Sequence, residues 1–125
     1  MAWADVRGGA AFLSTPSDLV RFGIGINSGT LLMPGTLQQL QTPQRLSSGA
    51  ETSYGLGWDV ETLPLAGQPA QMAGHGSRKD FIGGTTSFMT FPERGIVVVV
   101  MSNISFADTK SIALNIARAF AEQKR

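Results

Sequence analysis

The residues best suited to chemistry fall in one short run, Gly74-His75-Gly76-Ser77, with the basic pair Arg78-Lys79 directly after it. His75 is the only histidine of the chain. Glycine on both sides lets the backbone approach another group closely. An imidazole between glycines, beside two cations, is a setting that holds an anionic group. A metal site would need partner ligands, and with no second histidine and no cysteine a zinc centre is disfavoured. A general base needs a nucleophile within reach. Imidazoles as a class exchange protons near neutrality, and Ser77 shares the His75 face if the segment is extended. The bland alternative, a histidine in a turn before a strand, stays open beside these. No serine has a lysine three residues later, and the single tyrosine sits in Tyr54-Gly55-Leu56. The run reads as one wall of an active site without its nucleophile.

Other motifs carry less. The glycines around His75 can form a nest of backbone N–H groups for an anion. Gly74-x-Gly76 fits neither phosphate-loop pattern, so a nucleotide site is not expected. Tyr54 and Trp58 either line a groove or belong to the core, and core is the better reading. Met72, Met89 and Met101 read as core filler. Asn103-Ile104-Ser105 matches a glycosylation acceptor, but Ser105 is better used as a helix cap. The side chains of Arg78, Lys79 and Asp80 read as a solvated loop tip.

The elements that must position these residues are legible in outline. Thr15-Pro16-Ser17-Asp18 is a helix start, with Thr15 as N-cap and Pro16 in the first helical position. Leu19, Phe22, Gly23 and Ile26 share one face, and Gly29 suits a left-handed cap. The spacing predicts helices over 15–28 and 35–42, the second opened at Pro34-Gly35 and stopped by Pro43. Residues 44–53 form a surface loop. Tyr54, Leu56, Trp58 and Val60 alternate with small or polar residues, which predicts a strand near 54–62. A loop from Pro64 to Pro69 leads to a short strand near 70–75, ending at His75. Strands near 84–91 and 95–102 flank the turn Pro92-Glu93-Arg94-Gly95. Ile96-Val97-Val98-Val99-Val100-Met101 is apolar on both faces, so the sheet carries a layer on each side. Ser105-Phe106-Ala107-Asp108 is a capping box that opens a helix over 106–123, with Ile112, Ile116 and Phe120 on its apolar stripe. Lys124 and Arg125 sit near that helix's negative end. The fold class is α+β, an α/β sandwich fragment with an antiparallel sheet of about three to four strands and helices packed on it.

Composition sets outer bounds. At 125 residues this is one small domain or a piece of a larger one. Hydrophobic content of 42% fits a globular chain, while a charged fraction of 15% is low enough to imply that other protein covers part of the surface. The net charge of +1, without a basic patch, gives no nucleic-acid footprint. Cysteine is absent, which excludes disulfides and thiolate chemistry and leaves the compartment open. No signal-peptide pattern opens the chain, and its longest apolar run is far shorter than the roughly 20 residues of a membrane span. No cofactor is expected.

Several stretches together resemble the C-terminal part of the serine β-lactamase-like and penicillin-binding-protein family, which includes class C β-lactamases, family VIII esterases and D-alanyl-D-alanine peptidases. They are Gly8-Gly9-Ala10-Ala11-Phe12-Leu13-Ser14-Thr15-Pro16-Ser17-Asp18-Leu19 with Arg21-Phe22, then Tyr54-Gly55-Leu56-Gly57-Trp58. Gly74-His75-Gly76-Ser77, Gly83-Gly84-Thr85-Thr86-Ser87 and Pro92 to Val100 with Ser102-Asn103 complete the series. In that family the nucleophile lies in Ser-x-x-Lys, aided by Tyr-x-Asn, and this sequence contains neither motif. The third motif, Lys-Thr-Gly or His-x-Gly, is matched at Gly74-His75-Gly76-Ser77. The resemblance implies that His75, with Gly76 and Ser77, faces a small-molecule substrate (β-lactam, ester or peptide) and places its carboxylate or carbonyl. It implies that the backbone N–H of Arg78 is half of an oxyanion hole. It implies an exported or periplasmic parent, and a chain inactive alone that needs a missing N-terminal half or self-associates. The alternative is a non-catalytic binding or self-associating domain built on the same fold piece. Ser77 stands where the family has glycine, and the loop from Arg78 to Ile82 is longer than the family pattern.

Overall fold

The computed structural model describes residues 12–77 and 83–123. It is an α+β arrangement: α1 (Pro16–Asn27), α2 (Pro34–Leu40), four strands, then α3 (Thr109–Gln123). β1 (Asp59–Leu65), β2 (Gln68–Gly76), β3 (Thr85–Phe91) and β4 (Ile96–Ser102) form one sheet in that order, each antiparallel to the next. A short 3₁₀ turn, Pro92–Arg94, joins β3 to β4 and closes on Gly95 at φ 60°.

Local chemistry explains the helix ends. The Asp18 N–H donates to Thr15 Oγ1 at 3.2 Å, capping α1. Gly29 takes φ 77° just past its end. α2 opens at Pro34 without a side-chain cap. α3 starts three residues later than the capping box Ser105–Asp108 predicts, because Asp108 is the cap. Its carboxylate accepts from the Ser111 N–H at 3.1 Å and from the Ser111 hydroxyl at 2.7 Å. Ser105 instead accepts from the Gly83 N–H at 2.9 Å, tying the start of β3 to the loop before α3.

The stretch between Pro64 and Pro69 is no open loop. β1 and β2 join through Ala66 and Gly67, at φ 51° and 77°, the positive values that a two-residue type I′ turn needs. Pro64 and Pro69 face each other across this hairpin. Among the described residues β1 is an edge strand, and β2 pairs with β3 only from Ala73 onward, so neither proline deprives β3 of a donor.

The predicted strand over 54–62 is likewise corrected. Tyr54 pairs with Asp59 across a tight turn in which Gly57 takes φ 84°, so β1 begins at Asp59. The turn is docked on α2: the Leu56 N–H donates to the Leu40 carbonyl, and a Cβ at Gly55 would collide with that same oxygen.

Two apolar layers lie on opposite faces of the sheet. On one, Leu65, Met72, Met89, Phe91, Ile96 and Val98 pack against Ala113, Ala117 and Ala121 of α3. On the other, Ile26 of α1 meets Trp58, Val60, Ala73 and Phe88, with Leu37 and Leu40 of α2 beside them. β4 thus carries a helix on each face. Met72 and Met89 are buried core residues and Met101 is half-buried. α3 departs from expectation. Its buried stripe is alanine, and Ile112, Ile116 and Phe120 are exposed by 49%, 37% and 56%. Small residues let the helix sit close to a sheet whose large side chains fill the space between them. Among the described residues no helix is long and apolar enough to cross a membrane.

Candidate functional site

The antiparallel order brings the C-terminal ends of β2 and β4, the N-terminal ends of β1 and β3 and the start of α3 to one end of the sheet. A cleft of about 670 Å³ opens there, walled by Tyr54, His75, Ser77, Phe106 and Lys110. Its floor is built from Ser87 and Thr109, whose hydroxyls share a buried hydrogen bond of 2.9 Å. At the rim, Lys110 Nζ pairs with Glu61 Oε1 at 2.7 Å. Among the described residues no three metal-ligating side chains converge.

Each residue of Gly74-His75-Gly76-Ser77 has a distinct job in holding this end of the sheet. Gly74 is buried opposite Met89, where any Cβ would strike the Phe88 carbonyl. His75 pairs with Phe88 in the β2–β3 register and points out of the sheet at an exposed position. Gly76 lies against the Thr86 carbonyl, with room for a Cβ only at 3.2 Å. Ser77 continues the ladder past the strand end. Its N–H donates to the Thr86 carbonyl at 2.8 Å, and its Oγ accepts from the Thr86 N–H at 2.9 Å. The side chain takes the place of a backbone carbonyl as the acceptor for that N–H.

His75 meets Tyr54, not Ser77. Tyr54 Oη lies 3.3 Å from His75 Nε2, and the two rings stand edge to face at 74° with centroids 6.2 Å apart. No hydrogen bond links His75 with Ser77 among the described residues. Arg78, with the loop to Ile82, lies outside the described residues, as do Gly8 to Ala11 and the terminal Lys124-Arg125.

A family model described as Beta-lactamase matches residues 1–123. The chain belongs to the Beta-lactamase family. Comparison with curated proteins finds no match. Within this family membership the four-stranded antiparallel sheet and its flanking helices are an α+β piece of the β-lactamase fold.

For this β-lactamase-family chain the sequence reading missed Tyr54 as a neighbour of His75. Trp58 is buried at 8% exposure, as a core residue, while Tyr54 is 42% exposed and faces the cleft. A signal was present: Gly55 and Gly57, two residues apart, mark a turn as readily as they mark a strand. With a turn there, Tyr54 and Trp58 no longer share a face.

Proposed function

We propose that this chain is the substrate-binding wall of a serine acyl-transfer enzyme acting on a β-lactam, a peptide or a small ester. The observation that carries the reading is the position of His75. It stands exposed at the open end of β2, on a cleft, in the run that matches the family's third motif. There it donates to the carboxylate or carbonyl of the substrate, with Gly76 and Ser77 lining the approach. The Arg78 N–H, next along the chain, is assigned to the oxyanion hole by the same resemblance, a role in which one preorganised donor is worth about 10²–10³ in rate. Ser77 binds rather than attacks, because its oxygen is already engaged by the Thr86 N–H and no base among the described residues touches it. The nucleophile lies outside this chain, so the chain alone does not turn substrate over.

Two measurements test this. Nitrocefin and p-nitrophenyl esters incubated with pure chain are expected to show no enzymatic turnover; turnover abolished by Ser77→Ala overturns the reading. The single imidazole resonance of His75 is expected to shift as a β-lactam or small ester is titrated in. A resonance unmoved by every class counts against His75 as a substrate contact.

A second reading, a self-associating interaction domain, is favoured by one feature of the surface. Among the described residues β4 is an edge strand, with neither charge nor proline to blunt it. On α3, Lys110 reaches Glu61 of β1 and Arg118 and Glu122 face the Pro64–Gly67 hairpin. Helical geometry then turns Ile112, Ile116 and Phe120 to the opposite flank, toward β4. A two-fold pairing of β4 with a second copy brings the two α3 helices to the same face of the joined sheet. Light scattering of the pure chain is expected to give a dimer under this reading. A wild-type monomer at every concentration refutes it.

A further inference from the structure

We infer that Tyr54 is a positioning residue for His75, one that selects the imidazole tautomer presenting N–H at Nδ1. The inference rests on the reading of His75 as a substrate contact and adds the residue that makes it competent.

A neutral imidazole has one donor nitrogen and one acceptor nitrogen, and the partner of the first decides the role of the second. In this chain Nε2 is taken by the Tyr54 hydroxyl at 3.3 Å. Nδ1 is therefore the nitrogen left for a ligand among the described residues. The ligand groups proposed for this site, a carboxylate or a carbonyl oxygen, only accept. A lone pair at Nδ1 repels them, and an N–H at Nδ1 binds them. The Tyr54 hydroxyl must then donate to Nε2, which places the ring proton on Nδ1. Isolated imidazole side chains favour the opposite tautomer, so the protein must impose this one.

Tyr54 is built to do so. Its N–H donates to Thr52 Oγ1 at 3.3 Å. Its carbonyl accepts from the Gln44 N–H at 2.9 Å and from the Thr52 hydroxyl at 3.0 Å. The Tyr54–Asp59 bridge ties the same residue to the start of β1. With the backbone held at both polar groups, the phenol swings only about its own side-chain bonds. The edge-to-face packing at 74° limits that swing against the imidazole.

Long-range proton–nitrogen correlation spectra of the ¹⁵N-labelled chain read the tautomer directly, and the single histidine leaves no ambiguity of assignment. At a pH where the ring is neutral, the wild type is expected to show a pyrrole-like Nδ1 and a pyridine-like Nε2. Tyr54→Phe keeps the ring and the backbone anchors and removes only the hydroxyl; it is expected to invert the tautomer ratio. A wild type with its proton on Nε2 overturns the proposal, and so does the same ratio in both proteins. The wild-type spectrum decides even if the variant fails to fold. Because no ligand is present, failure here leaves the substrate reading standing, whereas a His75 resonance unmoved by ligands removes the substrate reading and leaves the Tyr54 effect intact.

Discussion

Replacing Gly74 with alanine is expected to destabilise the chain by about 2–3 kcal/mol, although the change adds one methyl group. The added Cβ falls inside the contact radius of the Phe88 carbonyl oxygen and only 3.2 Å from the Met89 Cα and the Met72 sulfur. The oxygen and the Cα are backbone atoms, which no rotamer change can move aside. Relief comes only by prising β2 from β3, and those strands share just the four register pairs from Ala73↔Thr90 to Gly76↔Ser87. Overpacking of this kind costs about 1–3 kcal/mol or more, and the better strand propensity of alanine returns at most about 1 kcal/mol. Two sister substitutions calibrate the effect. A Cβ at Gly76 sits 3.2 Å from the Thr86 carbonyl, at the last register pair of β2 and β3, so Gly76→Ala is expected to cost about 1 kcal/mol or less. Gly35 has nothing within 4 Å and lies in α2, so Gly35→Ala is expected to stabilise by about 0.4–1 kcal/mol. Urea unfolding followed by circular dichroism separates the three, since 2–3 kcal/mol moves the midpoint by about 1–2 M at the usual slope for a small protein. The reasoning is refuted if Gly74→Ala and Gly76→Ala unfold at the same urea concentration.

Three further substitutions test other parts of the framework. Asp108→Ala removes the α3 N-cap and is expected to lower stability by about 0.5–2 kcal/mol in the same assay, with Asp108→Asn retaining most of it. Thr109→Val strands the buried Ser87 hydroxyl and is expected to cost about 1–3 kcal/mol; adding Ser87→Ala should recover part of that, measured as a double-mutant cycle. Ser77→Ala strips the Thr86 N–H of its acceptor at an exposed site, for an expected loss of about 1 kcal/mol and faster amide exchange at Thr86, read by hydrogen exchange.

Much of the secondary structure follows from short-range signals. Thr15, Pro16 and Asp18 start α1 because their capping chemistry acts within one turn, and Gly29 and Gly95 take positive φ where no Cβ opposes it. The run Ile96–Met101 announces a strand covered on both faces, and α1 and α3 cover it. The hairpin at Ala66-Gly67 was hidden by its flanking prolines, which mark a loop unless one knows that they face each other on an edge strand. The stripe Ile112, Ile116, Phe120 has the right spacing for a buried face, yet the helix turned its alanines inward. Periodicity reports that a face exists; the choice between two adjacent faces depends on the volume already supplied by Phe91, Met89 and Met72.

By itself the sequence determined the chemical character of the site: one imidazole between glycines, no thiol, no Ser-x-x-Lys, and a run that matches a known family motif. It determined this because residue type and short spacing are local properties. The tertiary structure decided which groups meet. It set Tyr54 against His75, 21 residues away, and sent Ser77 to Thr86 instead of to the imidazole. Those pairings depend on a turn at Gly57 and on the β2–β3 register, and both are settled only when strands distant in sequence pack together.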